Sequence, residues 1–192
     1  MKKIMFNDKY CLTSAVLNRT KTMTRRLLKH GTPLSNWEET QKNLPYKVGD
    51  IVAIAQCYEV MYAEMIADFT KHNYHIPRED AAEKFKKVYE SYAGWKNKMF
   101  VKADLMKHHI RITDVKVERL QDISEEDIMR EGVWQNYDIK NIYFISKTIG
   151  YAQDIAFTNA HEAYWYLINK ICGKGTLESN PWVLAYSFEL IN

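Results

Sequence analysis

The 192-residue sequence predicts an α+β domain built on a small, mostly antiparallel β-barrel with flanking helices and a helical insertion. Strand-like segments are spaced irregularly among helical ones, and neither a βαβ rhythm nor a glycine-rich phosphate loop accompanies them. The length suits one core, spanning 1–192, that needs no disulfide staples. Hydrophobic residues at 46% and charged residues at 27% exclude disorder, collagen-like repeats and coiled coil.

Along the chain, Leu12, Ala15 and Val16 recur at helical spacing between Asp8 and Asn18, with Asn7 or Asp8 as cap. Thr22 to Leu28 alternates with period two and carries β-branched threonines, which predicts a strand with Thr24 and Arg26 on one face. Gly31-Thr32-Pro33 and the polar run through Lys42 read as loop, and turn chemistry at Leu44 to Asp50 precedes a buried strand over Ile51–Ala55. Residues 58–98 read as a helical insertion: Val60, Met61, Met65, Ile66 and Phe69 suit one helix, and Pro77 opens a second, charged one. From Ile110 to Leu120 the alternation changes phase near Thr113-Asp114, the mark of a bulge in a long strand. Ser124 and Asp127 resemble a capping box that opens a short helix through Glu131, with Gly132 as its left-handed terminator. Ala156 to Ile171 carries the clearest apolar stripe and stops at Gly173, and Trp182 to Ile191 alternates as a closing core strand with Trp182 inside.

The net charge of +3 is modest, but Lys2, Lys3, Lys9, Arg19, Lys21, Arg25, Arg26 and Lys29 are opposed only by Asp8 over the first thirty residues. That basic pole suits either a phosphate-binding surface or a solvated charged face. Cys11, Cys57 and Cys172 are odd in number and lack a CxxC pair, so three buried or inert thiols and a cytoplasmic setting are expected. No apolar run reaches the roughly 20 residues of a membrane span, so no membrane partner is expected. His72, His75, His108 and His109 have no acidic or cysteine ligands at a recognised spacing, and neither a metal nor another cofactor is predicted.

Lys21, Thr24 and Arg26 fill three defined positions of the Gly-x-Lys-x-x-Thr-x-Arg signature, with Arg19 where the glycine is usual. With Tyr46-Lys47-Val48-Gly49-Asp50, the Leu120 to Asp127 segment, Glu131-Gly132-Val133 and Ser179-Asn180-Pro181-Trp182-Val183, the chain resembles the ASCH superfamily, in its prophage-type branch. The resemblance implies a PUA-like barrel that binds RNA or modified nucleosides. It also implies, more distantly, an amidohydrolase that removes the acetyl group of N4-acetylcytidine with a lysine, a threonine and a glutamate. Carried over by motif, that catalytic set is Lys21, Thr24 and Glu131. Where other members carry Arg and Glu after the apolar strand, this chain has Ala55 and Gln56.

The chemistry follows from these side chains. A threonine hydroxyl becomes nucleophilic only when a neighbour takes its proton, and a neutral Lys21 would serve, with Glu131 as acid/base or orienting group. Residues three apart on a strand face opposite sides, so Lys21 meets Thr24 only from the turn before the strand. Arg26 is the candidate anion anchor and Arg25 a rim charge, unless both join a salt-bridge network with Glu131 or Asp50. Tyr46, Tyr58 and Trp134 either stack a base or pack in the core. The sequence reading is therefore a protein that binds RNA or a nucleoside ligand, with the hydrolase as alternative.

Overall fold

The computed structural model describes residues 1–72, 79–145 and 155–191, and the side chains of 69–80 are not described. Pro77 and His75 lie outside the described residues. The chain divides into two compact units, Met1–Phe6 with Val52–His109 and Asn7–Ile51 with Ile110–Asn192.

In the first unit β1 (Lys2–Ile4) runs parallel to β3 (Ile51–Ile54), with Lys2 opposite Val52 and Ile4 opposite Ile54. The apolar run at Val52–Ala55 is fully buried, as a continuous hydrophobic strand must be. Helices α3 (Tyr58–His72) and α4 (Glu79–Tyr89) occupy the segment that the sequence marks as a helical insertion. Tyr58, Met61, Trp95, Val101 and Met106 form the unit's core with Ala53 and Ala55. Gly94 is required there, since a Cβ would sit 2.6 Å from the Tyr58 ring.

In the second unit, β4 (His109–Arg119), β7 (Trp182–Ile191) and β2 (Met23–Leu27) lie side by side in that order. β2 and β7 are antiparallel, with Met23 opposite Ser187, Thr24 opposite Tyr186 and Arg26 opposite Leu184. Along β4 the buried positions Ile110 and Ile112 give way to Val115, so the inward side changes phase at Thr113-Asp114 as the pattern predicts. Around these strands stand α1 (Leu12–Leu17), α2 (Trp37–Lys42), α5 (Glu125–Arg130) and α6 (Ala160–Cys172), with a hairpin of β5 (Trp134–Gln135) and β6 (Tyr143–Phe144). Leu120, Ile128, Val133, Ala163, Tyr164 and Val183 contribute to the core between α5, α6 and the sheet.

The architecture is thus α+β with mixed strand directions, and no closed barrel is found among the described residues. Four expectations need correction. The segment read as loop through Lys42 contains α2, whose start is held by the Asn36 side chain accepting from the Glu38 N–H at 2.9 Å. α6 begins at Ala160 instead of Ala156, because Asn159 caps it and Phe157 bridges to Tyr143 as extended chain. Trp182 is not core: it is 38% exposed, and the Arg119 guanidinium lies 4.3 Å from its ring centre. None of the three thiols is buried: Cys11 and Cys57 are intermediate and Cys172 is exposed, and all are free. No helix among the described residues is long and apolar enough to cross a membrane.

Candidate functional site

The site grows from the turn that joins α1 to β2. Arg19 takes a left-handed conformation, φ 60°, at the position where the signature has glycine. That conformation costs an ordinary residue about 1 kcal/mol, and here the Arg19 side chain compensates by donating to the Leu190 carbonyl at 3.1 Å. The N–H groups of Thr20 and Lys21 both donate to the Ala15 carbonyl, and Thr22 exchanges backbone hydrogen bonds with Arg130 and Phe188. Lys21 therefore lies in the turn before the strand, as the spacing argument requires.

Lys21 is 2% exposed, and its ammonium donates to the Glu131 carboxylate Oε2 at 2.6 Å and to the Glu131 carbonyl at 2.7 Å. Glu131 is delivered by α5, which Ser124 opens by accepting from the Asp127 N–H at 3.2 Å. Gly132, at φ 102°, turns the chain immediately afterwards and passes within 3.6 Å of Lys21, measured from the position a Cβ would take. Burial pulls the Lys21 pKa below its ordinary value. The charge of Glu131 and its hydrogen bond resist that fall, while Arg26 and Arg25 add to it.

The structure corrects the expectation that Arg25 is a rim charge. Its side chain is 1% exposed and caged by Glu118 (2.6 Å), Asp127 (2.8 Å) and Glu131 (3.3 Å). Burial opposes its charge, yet Glu131, Tyr164 and Glu118, helped by the Asp127 hydrogen bond, hold its pKa above the ordinary guanidinium value. Asp127 also takes Arg130 at 3.2 Å, and Arg130 donates to the Ser187 hydroxyl at 2.9 Å. Three cations, Lys21, Arg25 and Arg130, thus meet three carboxylates, Glu118, Asp127 and Glu131. A network balanced in this way offers no surplus charge to a phosphate.

Strand alternation puts Thr24 and Arg26 on the other side of β2 from Met23 and Arg25. Thr24 stands opposite Tyr186, whose ring meets Tyr46 edge-on at 5.5 Å. Burial pushes both phenols up, Tyr186 to about 12, and the Arg26 charge pulls each the other way. Arg26 and Tyr46 are half-buried, so this side reaches solvent. No hydrogen bond joins the Thr24 hydroxyl to Lys21 or Glu131 among the described residues.

The candidate stacking rings part company. Tyr58 is core in the first unit, 1% exposed, packed on Phe85 and Tyr89, with its hydroxyl accepting from the Lys102 N–H. Trp134 is stacked on Phe144 at 5.4 Å within the β5–β6 hairpin. Only Tyr46 stands beside a signature residue.

The sequence reading missed Glu118, Asp127, Arg130, Ser187, Tyr186 and Tyr164. The Tyr164 hydroxyl is buried without a hydrogen-bond partner, and its pKa is pushed well up by burial and by Glu131. Half-buried Glu118 at the end of β4 left no pattern to find. Among the described residues no group of three or more His, Cys, Asp or Glu is placed to hold a metal. Comparison with family models, with curated proteins and with solved structures finds no match to this chain.

Proposed function

We propose that the chain is an RNA- or modified-nucleoside-binding protein of ASCH type, with a PUA-like barrel that receives its ligand on the Thr24, Arg26 and Tyr46 side of β2. The observation that carries this reading is the placement of Arg26, half-buried and on the face of Thr24, within electrostatic reach of Tyr46. A guanidinium in that position takes a phosphate through its planar fork, the neighbouring ring offers a base a stacking surface, and the threonine hydroxyl donates or accepts at a base edge. Arg25 contributes nothing to this surface, because its charge is already met by three carboxylates. Oligonucleotide affinity measured across a salt series tests the reading. Arg26→Ala should lower affinity and flatten the slope of log K against log salt by about 1, the signature of one lost phosphate contact. Absence of binding by the unaltered protein to single- or double-stranded oligonucleotides at low salt would overturn it.

A second reading, an amidohydrolase acting on an acylated nucleobase such as N4-acetylcytidine, is favoured by the Lys21–Glu131 pair. An amine whose pKa burial has lowered, 2.6 Å from a carboxylate, can take the proton of an attacking hydroxyl and return it to the leaving nitrogen. In this arrangement it serves a water molecule more directly than Thr24, which alternation turns to the other face. Release of cytidine and acetate from N4-acetylcytidine, lost in Lys21→Met and Glu131→Gln, would support it. Equal turnover by the unaltered protein and both variants, or none by any, would dispose of it.

A further inference from the structure

The second unit holds an open cleft of about 370 Å³ between α2, the chain at 44–48 and Val115 of β4. Its contents are unusual for a surface left to water. Trp37 is 45% exposed and Val48 62% exposed, and they share the cleft with Leu44, the ammonium-bearing Lys42 and Lys47, and the amide of Gln41. One carboxylate, Glu38, opposes the two lysines, so the lining carries a surplus of one positive charge.

The walls are fixed before any ligand arrives. Asn36 caps α2, and the Thr40 hydroxyl ties that helix to the Pro33 and Asn36 carbonyls. On the opposite wall the Asp50 carboxylate accepts from the Lys47 N–H at 3.0 Å, the Asp50 N–H returns to the Lys47 carbonyl, and Gly49 at φ 88° donates to Ile112. A pinned cleft loses little entropy on binding.

We infer that this cleft is a subsite for a second nucleotide of a single-stranded RNA, with the Trp37 indole stacking the base, Lys42 and Lys47 holding its phosphates and the Gln41 amide meeting its edge. The size suits one nucleotide, the surplus charge suits a polyanion, and a half-exposed indole in a lining that also carries two lysines supplies what a base and its phosphates need. Continuity supports the assignment. Tyr46, whose ring meets Tyr186, and Lys47, in the cleft lining, are consecutive residues, so the two surfaces adjoin at one turn of the chain.

The inference rests on the binding reading proposed above, and one set of measurements separates the two. Fluorescence anisotropy of a labelled single-stranded RNA decamer is compared for the unaltered protein, Trp37→Ala, Trp37→Phe, Lys42→Glu/Lys47→Glu and Arg26→Ala, with circular dichroism confirming that each variant is folded. Loss of a stacked base costs about tenfold in affinity in Trp37→Ala, and Trp37→Phe, which keeps a ring, should recover most of it. The double lysine variant should lose affinity and salt sensitivity together. If Arg26→Ala weakens binding while all three cleft variants bind like the unaltered protein, the cleft assignment is wrong and the β2 surface stands. If the cleft variants weaken binding and Arg26→Ala does not, the cleft stands and the β2 surface falls. If the unaltered protein does not bind the decamer at low salt, both fall.

Discussion

Arg25 and Arg26 follow one another along β2 and meet opposite circumstances: the first has 1% of its side chain exposed inside a cage of Glu118, Asp127 and Glu131, while the second is half-buried on the face of Thr24. Alternation alone separates them, because successive side chains leave a strand on opposite faces. What packs on each face then assigns the work. α5 and the end of β4 bring carboxylates to Arg25, so its charge is spent holding elements together. The other face meets the aromatic rings of Tyr46 and Tyr186, and no carboxylate cage like that of Arg25 is built there among the described residues. Two residues of one motif, identical in chemistry, therefore meet different surroundings: Arg25 holds elements together, and Arg26 is the residue that the proposed function gives to a ligand.

The largest effect that can break this comparison is on stability. Arg25→Met leaves Glu118, Asp127 and Glu131 facing one another without their shared cation, and removal of one partner from a buried ionic cluster costs about 3 kcal/mol or more. Glu118 and Asp127 keep some solvent contact, at 20% and 14% exposure, which holds the loss to the lower end of that range. Arg26→Met, on the other face and at a half-buried position, should cost less than Arg25→Met, because it opens no cage of three carboxylates. Urea unfolding of both variants checks the contrast. Equal losses would mean that Arg26 also carries structure, and its assignment to a ligand surface would lose its basis.

The unequal fate of the two arginines also shows where sequence reading stops. Local signals were legible: Ser124 as a helix cap, Gly132 as a left-handed terminator, Lys21 in the turn before β2 and the phase change within β4 all depend on residues a few positions apart. α2 was legible too, in the cap Asn36 followed by Glu38 and Glu39 in the first turn, but the polar composition of the segment masked it. The cage was not. Glu118, Asp127 and Glu131 stand 93, 102 and 106 positions from Arg25, and no periodicity marks which distant carboxylate a strand will meet. Trp182 failed for a related reason: its apolar bulk suggested core, and only the approach of Arg119 explains how an exposed indole is accommodated at the strand's start. The Lys21–Glu131 contact came from the family resemblance instead of from spacing.

A smaller effect sharpens the comparison on the Arg25 side, where Lys21 shares the same Glu131. Burial lowers the folded-state pKa of Lys21, while in the unfolded chain it returns to about 10.5. Between those two values the unfolded chain holds a proton that the folded chain has released, so the unfolded state binds more protons and stability rises with pH. Below the window both states are protonated, and the cost of burying the ammonium is constant. The unfolding free energy of the unaltered protein minus that of Lys21→Met should therefore climb as pH rises toward about 10.5, by up to about 1.4 kcal/mol for each pH unit inside the window, and level off above it. Tyr46, Tyr143, Tyr164 and Tyr186, whose pKa values are raised, pull stability the other way at high pH, but they are common to both proteins and cancel in the difference. A difference that falls as pH rises would show that Glu131 holds the ammonium charged more firmly than water does. Lys21 would then be a structural cation like Arg25, and the proton-transfer role of the second functional reading would have no group to perform it.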